Sequence, residues 1–211
     1  MIRLPRFLQP LLPLGRPGGG RSVSSAITGF SVAQQAKSKW CWSAVAEGIG
    51  YYYNVSSKWS QCDIVNGELG RSDCCSPGND KVCNTSGRLG TALARIGHLV
   101  RLQAGPTAFV DVRSEISAGQ PLGVRVAWQG GNAHFIAVQG YFIDGAGNEW
   151  LDLVDPDPMV IVTTERFNDV ANRYRGSGSW TTSYFTARAP IASGSNPPGP
   201  TGSGAPDLPA P

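Results

Sequence analysis

The chain has 211 residues, 41% of them apolar, with eighteen Lys and Arg against fifteen Asp and Glu for a formal net charge of +3, which suits one packed domain. The charge is uneven: Arg3, Arg6, Arg16, Arg21, Lys37 and Lys39 stand in the first 46 residues without an acid, and the remainder is net negative. A folded part of that sign lacks the basic stripe of a nucleic-acid groove, and no run approaches the ~18 consecutive apolar residues of a membrane span. The expectation is a monomer with no nucleic-acid partner and no membrane span.

Residues 1–14 place Arg3 and Arg6 before Phe7, Leu8, Leu11, Leu12 and Leu14, a faint targeting pattern that Pro10 and Pro13 interrupt. Gly, Ser, Arg and Pro follow to Ser25, so residues 1–29 are expected to be a disordered leader, a pro-segment or a weak targeting segment. Apolar spacings of three and four predict helices over 41–53, 60–69 and 86–96. Gly48 and Gly50 weaken the first, which then needs close packing to hold it. A fourth helix is predicted over 108–117, capped by Thr107 and ended by Gly119. Strands are predicted over 122–128, 135–143, 149–154, 159–164 and 179–186, with a turn at 144–148. The Pro/Gly/Ser-rich stretch from 189 to 211 reads as a disordered tail. Helices first and strands afterwards predict an α+β domain over 30–188, with an antiparallel sheet.

Five cysteines leave one over. Cys62, Cys74, Cys75 and Cys83 cluster, while Cys41 stands apart. The four are disulfide candidates. Bonding between the adjacent Cys74 and Cys75 is awkward, which leaves either 62 with 74 and 75 with 83, or 62 with 75 and 74 with 83. A structural zinc site would want paired Cys-x-x-Cys hooks, absent here, and reduced core cysteines are a third reading. Disulfides would imply an oxidising, secreted or exported setting.

Cys41 opens the first predicted helix, where unpaired backbone N–H groups and the helix dipole stabilise negative charge. The string Gln35-Ala-Lys-Ser-Lys-Trp-Cys41-Trp-Ser-Ala resembles the nucleophile motif of papain-like cysteine peptidases. That resemblance implies Gln35 as an oxyanion donor six residues before the nucleophile Cys41, with an aromatic and small residues after it. Trp on both sides of the Cys and the later Asp-Cys-Cys run are most similar to the bacterial secreted-effector branch. The Cys-Gly-Ser-Cys-Trp signature of plant and lysosomal relatives is absent, so their pocket residues do not carry over. The family's fold is helical in its first half and an antiparallel sheet in its second, with the active site between.

A Cys nucleophile needs an imidazole. His98, after Arg95-Ile-Gly, reads as a helix-end residue. His134, in Gly130-Gly-Asn-Ala-His-Phe-Ile-Ala-Val, begins a strand and resembles the family's histidine motif. A hairpin around 144–148 puts His134 and Asp155 together at its open end, so Asp155 is the expected partner of the ring, with Asp152 and Asp157 as fallbacks. The resemblance commonly implies Asn there, and sometimes Asp. No metal and no organic cofactor is called for. Trp128, Trp150 and Trp180 read as core, and Gly130-Gly131 as a turn. The expected function is hydrolysis of a peptide or protein substrate through Cys41, His134 and Asp155. The alternatives are a transglutaminase-like acyltransferase with the same triad, and an inactive papain-fold binding domain.

Overall fold

The computed structural model describes residues 23–159 and 162–189. Thirteen elements follow one another in these residues: β1 (Val23–Ala26), α1 (Cys41–Tyr53), α2 (Gln61–Leu69), α3 (Asp80–Cys83), α4 (Leu89–Arg95), β2 (Leu99–Ala104), α5 (Phe109–Ser117), β3 (Leu122–Trp128), β4 (Ala133–Ile143), β5 (Glu149–Val154), β6 (Val162–Arg166), α6 (Phe167–Arg173) and β7 (Gly178–Thr186).

The sheet runs β2-β7-β3-β4-β5-β6, and every pairing is antiparallel. β4 is its axis. One edge of β4 pairs with β3 through residues 133–138 and then with β1 through 140–143, while the other edge pairs with β5. Asp144 closes the β4–β5 turn by accepting from the backbone N–H groups of Ala146 and Asn148, the Asx geometry for which a short acidic side chain is suited.

α1 is the central helix, packed on α2, α4 and β4, and Ala44, Val45, Ala46 and Ile49 are wholly buried in it. Each such Val or Ile contributes about 1.5–3 kcal/mol by leaving water. Gly48 shows how close the packing is, since a Cβ there would meet the Ser31 carbonyl oxygen at 2.7 Å. The propensity penalty of that glycine is offset by the contact it permits. α2 starts on a reciprocal cap, Ser60 accepting from the Asp63 N–H while the Asp63 carboxylate accepts from Ser60.

The α+β class and the antiparallel sheet are as expected, with four differences. Residues 23–29 belong to the fold and not to a leader: β1 pairs with β4, and Ile27 is buried. Residues 1–22 and 190–211 lie outside the described residues. α3, β2 and α6 were not foreseen, and β2 and α6 break the clean order of helices before strands. The strand expected over 159–164 is observed as Val162–Arg166, with 160 and 161 outside the described residues. Thr107 does not cap α5; Ala108 stands at that position, and the Thr107 hydroxyl donates to Asp111.

Candidate active site

α1 and β4 aim their first residues at each other. Cys41 is the first residue of α1, and no side chain caps that end, so its early N–H groups remain open to an anion. His134 stands second in β4, opposite Val126 of β3. Both line one cleft of about 240 Å³. Cys41 is the free cysteine among the described residues and is buried.

His134 donates through Nε2 to Asp155 Oδ1 at 2.6 Å. The strand register explains the reach. Ala137 pairs with Val154, so Asp155 is level with Ile136, and His134 is the diagonal neighbour two residues on along the same face. The predicted juxtaposition is therefore present with a diagonal geometry. Asp155 is 1% exposed and fully engaged: Oδ1 also accepts from the Asp157 N–H at 2.8 Å, and Oδ2 accepts from the Tyr174 hydroxyl at 2.7 Å and pairs with Arg175 at 3.1 Å. Burial opposes charge on the His134 imidazole. The Asp155 bond, a hydrogen bond with Cys41 and the charges of both partners outweigh that, and push its pKa up to about 9. His134 is thus an imidazolium at neutral pH.

The two fallback acids serve elsewhere. Asp152 accepts from Thr164 on β6, and Asp157 pairs with Arg175. His98 binds the Ala187 carbonyl through Nδ1 and packs on Tyr53, tying the end of β7 to α1. Gln35 comes near the site by its backbone, whose N–H donates to the Pro156 carbonyl at 2.8 Å, while its side-chain Nε2 donates to the Lys37 carbonyl. Its amide does not line the cleft. Lys37 is engaged with Asp80, whereas Lys39 lines the cleft. Trp180 is core, but Trp128 is only partly buried and its ring lies 6.2 Å from that of His134. Trp150 stacks on Phe142 beneath Arg166. Gly130 and Gly131 form the expected turn, with the Gly131 N–H donating to Trp128.

The cysteine-rich loop reaches the site as well. Its sulfurs pair as Cys62–Cys75 and Cys74–Cys83, the second of the two pairings left open, and sulfurs joined to one another leave no thiolates for zinc. Cys62 is carried by α2 and Cys83 by α3, so the adjacent Cys74 and Cys75 reach apart. The segment after Cys83 holds the residues on either side of Cys41. Trp40 donates to the Cys83 carbonyl at 2.7 Å, Trp42 to Thr85 at 3.3 Å, and Lys39 N–H to the Asn84 side chain at 3.0 Å. Replacing Cys74 and Cys83 together by Ala is expected to lower stability by about 2–4 kcal/mol and to slow alkylation of Cys41. A urea midpoint and an iodoacetamide rate check both.

A family model described as papain-like cysteine protease AvrRpt2 matches residues 25–172. The chain belongs to this family of papain-like cysteine proteases. Membership makes it a hydrolase of a bacterial effector family, with a protein as its substrate. Solved structures similar to it include the peptidase domain of Streptococcus ComA, a bifunctional ABC transporter of a quorum-sensing pathway, at 17% identity and TM-score 0.47 over 74% of this chain and 98% of that one. Another is the cysteine protease Amb a 11 of ragweed pollen in its proform, at 13% identity and TM-score 0.47 over 86% of this chain and 62% of that one. No curated protein matches the sequence. Among the described residues no helix is long and apolar enough to cross a membrane.

Tyr174 and Arg175 were missed from the sequence. Both follow α6, far along the chain from Asp155, and nothing local to them signals an acid partner. Arg125 was missed because an Arg inside an apolar strand reads as a solvent-facing residue.

Proposed function

We propose that this family member hydrolyses peptide bonds by covalent catalysis, with Cys41 as nucleophile, His134 as acid and base, and Asp155 holding the ring. The observation that carries the reading is the position of His134 between Cys41 and the buried Asp155, with its pKa pushed up to about 9. As a thiolate balanced by that imidazolium, Cys41 attacks the carbonyl carbon and the π electrons move to oxygen. The oxyanion faces the uncapped start of α1, where the Cys41 N–H has no partner among the described residues. The Gln35 amide supplies a second donor after turning its free hydrogen toward the cleft. His134 passes its proton to the departing amine, leaving a thioester. It then takes a proton from water, which attacks the acyl carbon and restores Cys41.

Cysteine pairing supports export from the cell as the setting, since those bonds persist only where thiols are oxidised. The peptidase domain then runs from about residue 23 to 188 and works as a monomer without metal or cofactor.

The test is cleavage of a quenched fluorescent peptide library under mild reduction by the wild type, Cys41→Ala and His134→Ala. Loss of cleavage in both variants, with E-64 labelling confined to Cys41, supports the mechanism. Cleavage surviving Cys41→Ala would sink it. Gln35→Ala is expected to lower kcat by about 10²-fold with little change in KM, as for other lost oxyanion donors.

A further inference from the structure

The cleft holds a cation that peptide hydrolysis does not use. Arg125 stands in β3 opposite Phe135, the residue after His134, and its side chain lines the cleft although the residue is only 9% exposed. A buried charge is ordinarily matched by an opposite one. Among the described residues Arg125 makes no ion pair, and its guanidinium has one protein hydrogen bond, from Nη1 to the Thr181 hydroxyl at 2.8 Å. A guanidinium carries five N–H donors in a planar fork, so most of this one remains for a ligand.

The surroundings agree in sign. No Asp or Glu lines the cleft, and Lys39 and Arg88 add two further cations at its rim. Phe135 and Tyr184, edge to face at 6.0 Å, flank Arg125 with apolar surface that excludes water and strengthens a charged contact. Ser86 and Gly87 of the opposite wall are small and leave room for an incoming chain.

We propose that Arg125 is the specificity determinant of this cleft, binding a carboxylate of the peptide substrate through its guanidinium fork. The inference rests on the peptidase reading and names its substrate class. Arg125, Cys41 and His134 line the same cleft of about 240 Å³, so a group bound at Arg125 lies within a few residues of the bond facing Cys41 and His134. A Glu or Asp side chain at such a position fits the bidentate geometry that Arg favours. A free C-terminal carboxylate has the same chemistry, and peptide design separates the two.

The experiment uses the full chain and peptide pools in which one position at a time is Glu or Gln, each pool made with an amidated and with a free C-terminus. At one position Glu is expected to raise kcat/KM over Gln by about 10–100-fold, the range of a charge-assisted pair. Arg125→Gln is expected to bring that ratio close to 1, and Arg125→Lys, which keeps the charge without the fork, to an intermediate value. A preference that follows the free C-terminus instead assigns the carboxylate to the chain end. Equal rates for Glu and Gln at every position with either terminus, or a preference that survives Arg125→Gln, overturn the proposal. Should the wild type cleave no peptide, the hydrolytic reading fails alone, and fluorescence anisotropy of the same pools on Cys41→Ala decides this one. Tighter binding of the Glu pool or of the free-terminus pool, erased by adding Arg125→Gln, supports it; equal or absent binding overturns it.

Discussion

Replacement of Asp155 by Asn should lower kcat/KM for peptide cleavage by about 10-fold, the difference between a charge-assisted and a neutral hydrogen bond, and pull the alkaline limb of the pH profile down from about 9. The carboxylate accepts from His134, the Asp157 N–H, Tyr174 and Arg175 at once, so its position is fixed independently of the ring it orients. An amide of the same shape keeps the volume but loses the charge, and must turn an N–H toward one of these donors. The comparable change in a serine protease triad costs about 10⁴ in kcat, chiefly by favouring the wrong tautomer; an imidazolium carries a proton on both nitrogens and has no tautomer to lose, so the loss here is smaller.

The sign of the pH effect follows from the same contacts. His134 is raised above its ordinary 6.5 against the opposition of its own burial. Its imidazolium therefore stabilises the fold fully below about 6.5, and that contribution is lost as pH rises through about 9. In Asp155→Asn the charge of one of the two partners that raise it is gone, and the ring N–H donates to a neutral amide oxygen instead of a carboxylate. Activity in the variant should then fall away at lower pH, and the drop in urea midpoint between pH 6.5 and 9.5 should shrink. A variant whose alkaline limb stays near 9 would show that Asp155 does not set the ionisation of His134.

Much of this arrangement was legible from local pattern. α1, β3 and β5 start and stop where periodicity places them, because α1 is wrapped by core and the strands carry Val, Leu and Trp between turn residues. The positions of Cys41, His134 and Asp155 were legible because helix start, strand start and hairpin end are each defined by nearby residues. What escaped is held by partners distant in sequence. Val23-Ser-Ser-Ala has little to bury and becomes a strand because β4 is long enough to offer it an edge. Leu99–Ala104 is half exposed and is a strand because β7 pairs with it. Tyr174, Arg175 and Arg125 make contacts that only the assembled fold creates, and the Gln35 amide, placed by motif, is turned onto Lys37 by the local loop.

Gly87→Ala is expected to cost about 1–3 kcal/mol of stability and at least 10²-fold in kcat/KM, a large effect for one methyl group outside the proposed triad. A Cβ at Gly87 would stand 2.2 Å from Trp42 Cε2 and 2.5 Å from Cζ2, so either the segment or the indole must move. The indole has little freedom, being 1% exposed and bonded through Nε1 to the Thr85 carbonyl, and overpacking of this kind stores strain in its neighbours. Those neighbours are the machinery proposed above. Trp42 follows Cys41 directly, Trp40 before it is seated on the Cys83 carbonyl, and Ser86, Gly87 and Arg88 form a wall of the cleft. A displacement of about 1 Å in a nucleophile is enough for a 10²-fold loss. Urea unfolding, E-64 labelling rates and peptide turnover read the three parts of the effect separately. Ser86→Ala, an exposed change beside it, should leave the midpoint within about 0.5 kcal/mol. Wild-type labelling in Gly87→Ala would mean that the disulfide-bearing segment does not hold Cys41 in place, and the link between the cysteine cluster and the nucleophile would have to be abandoned.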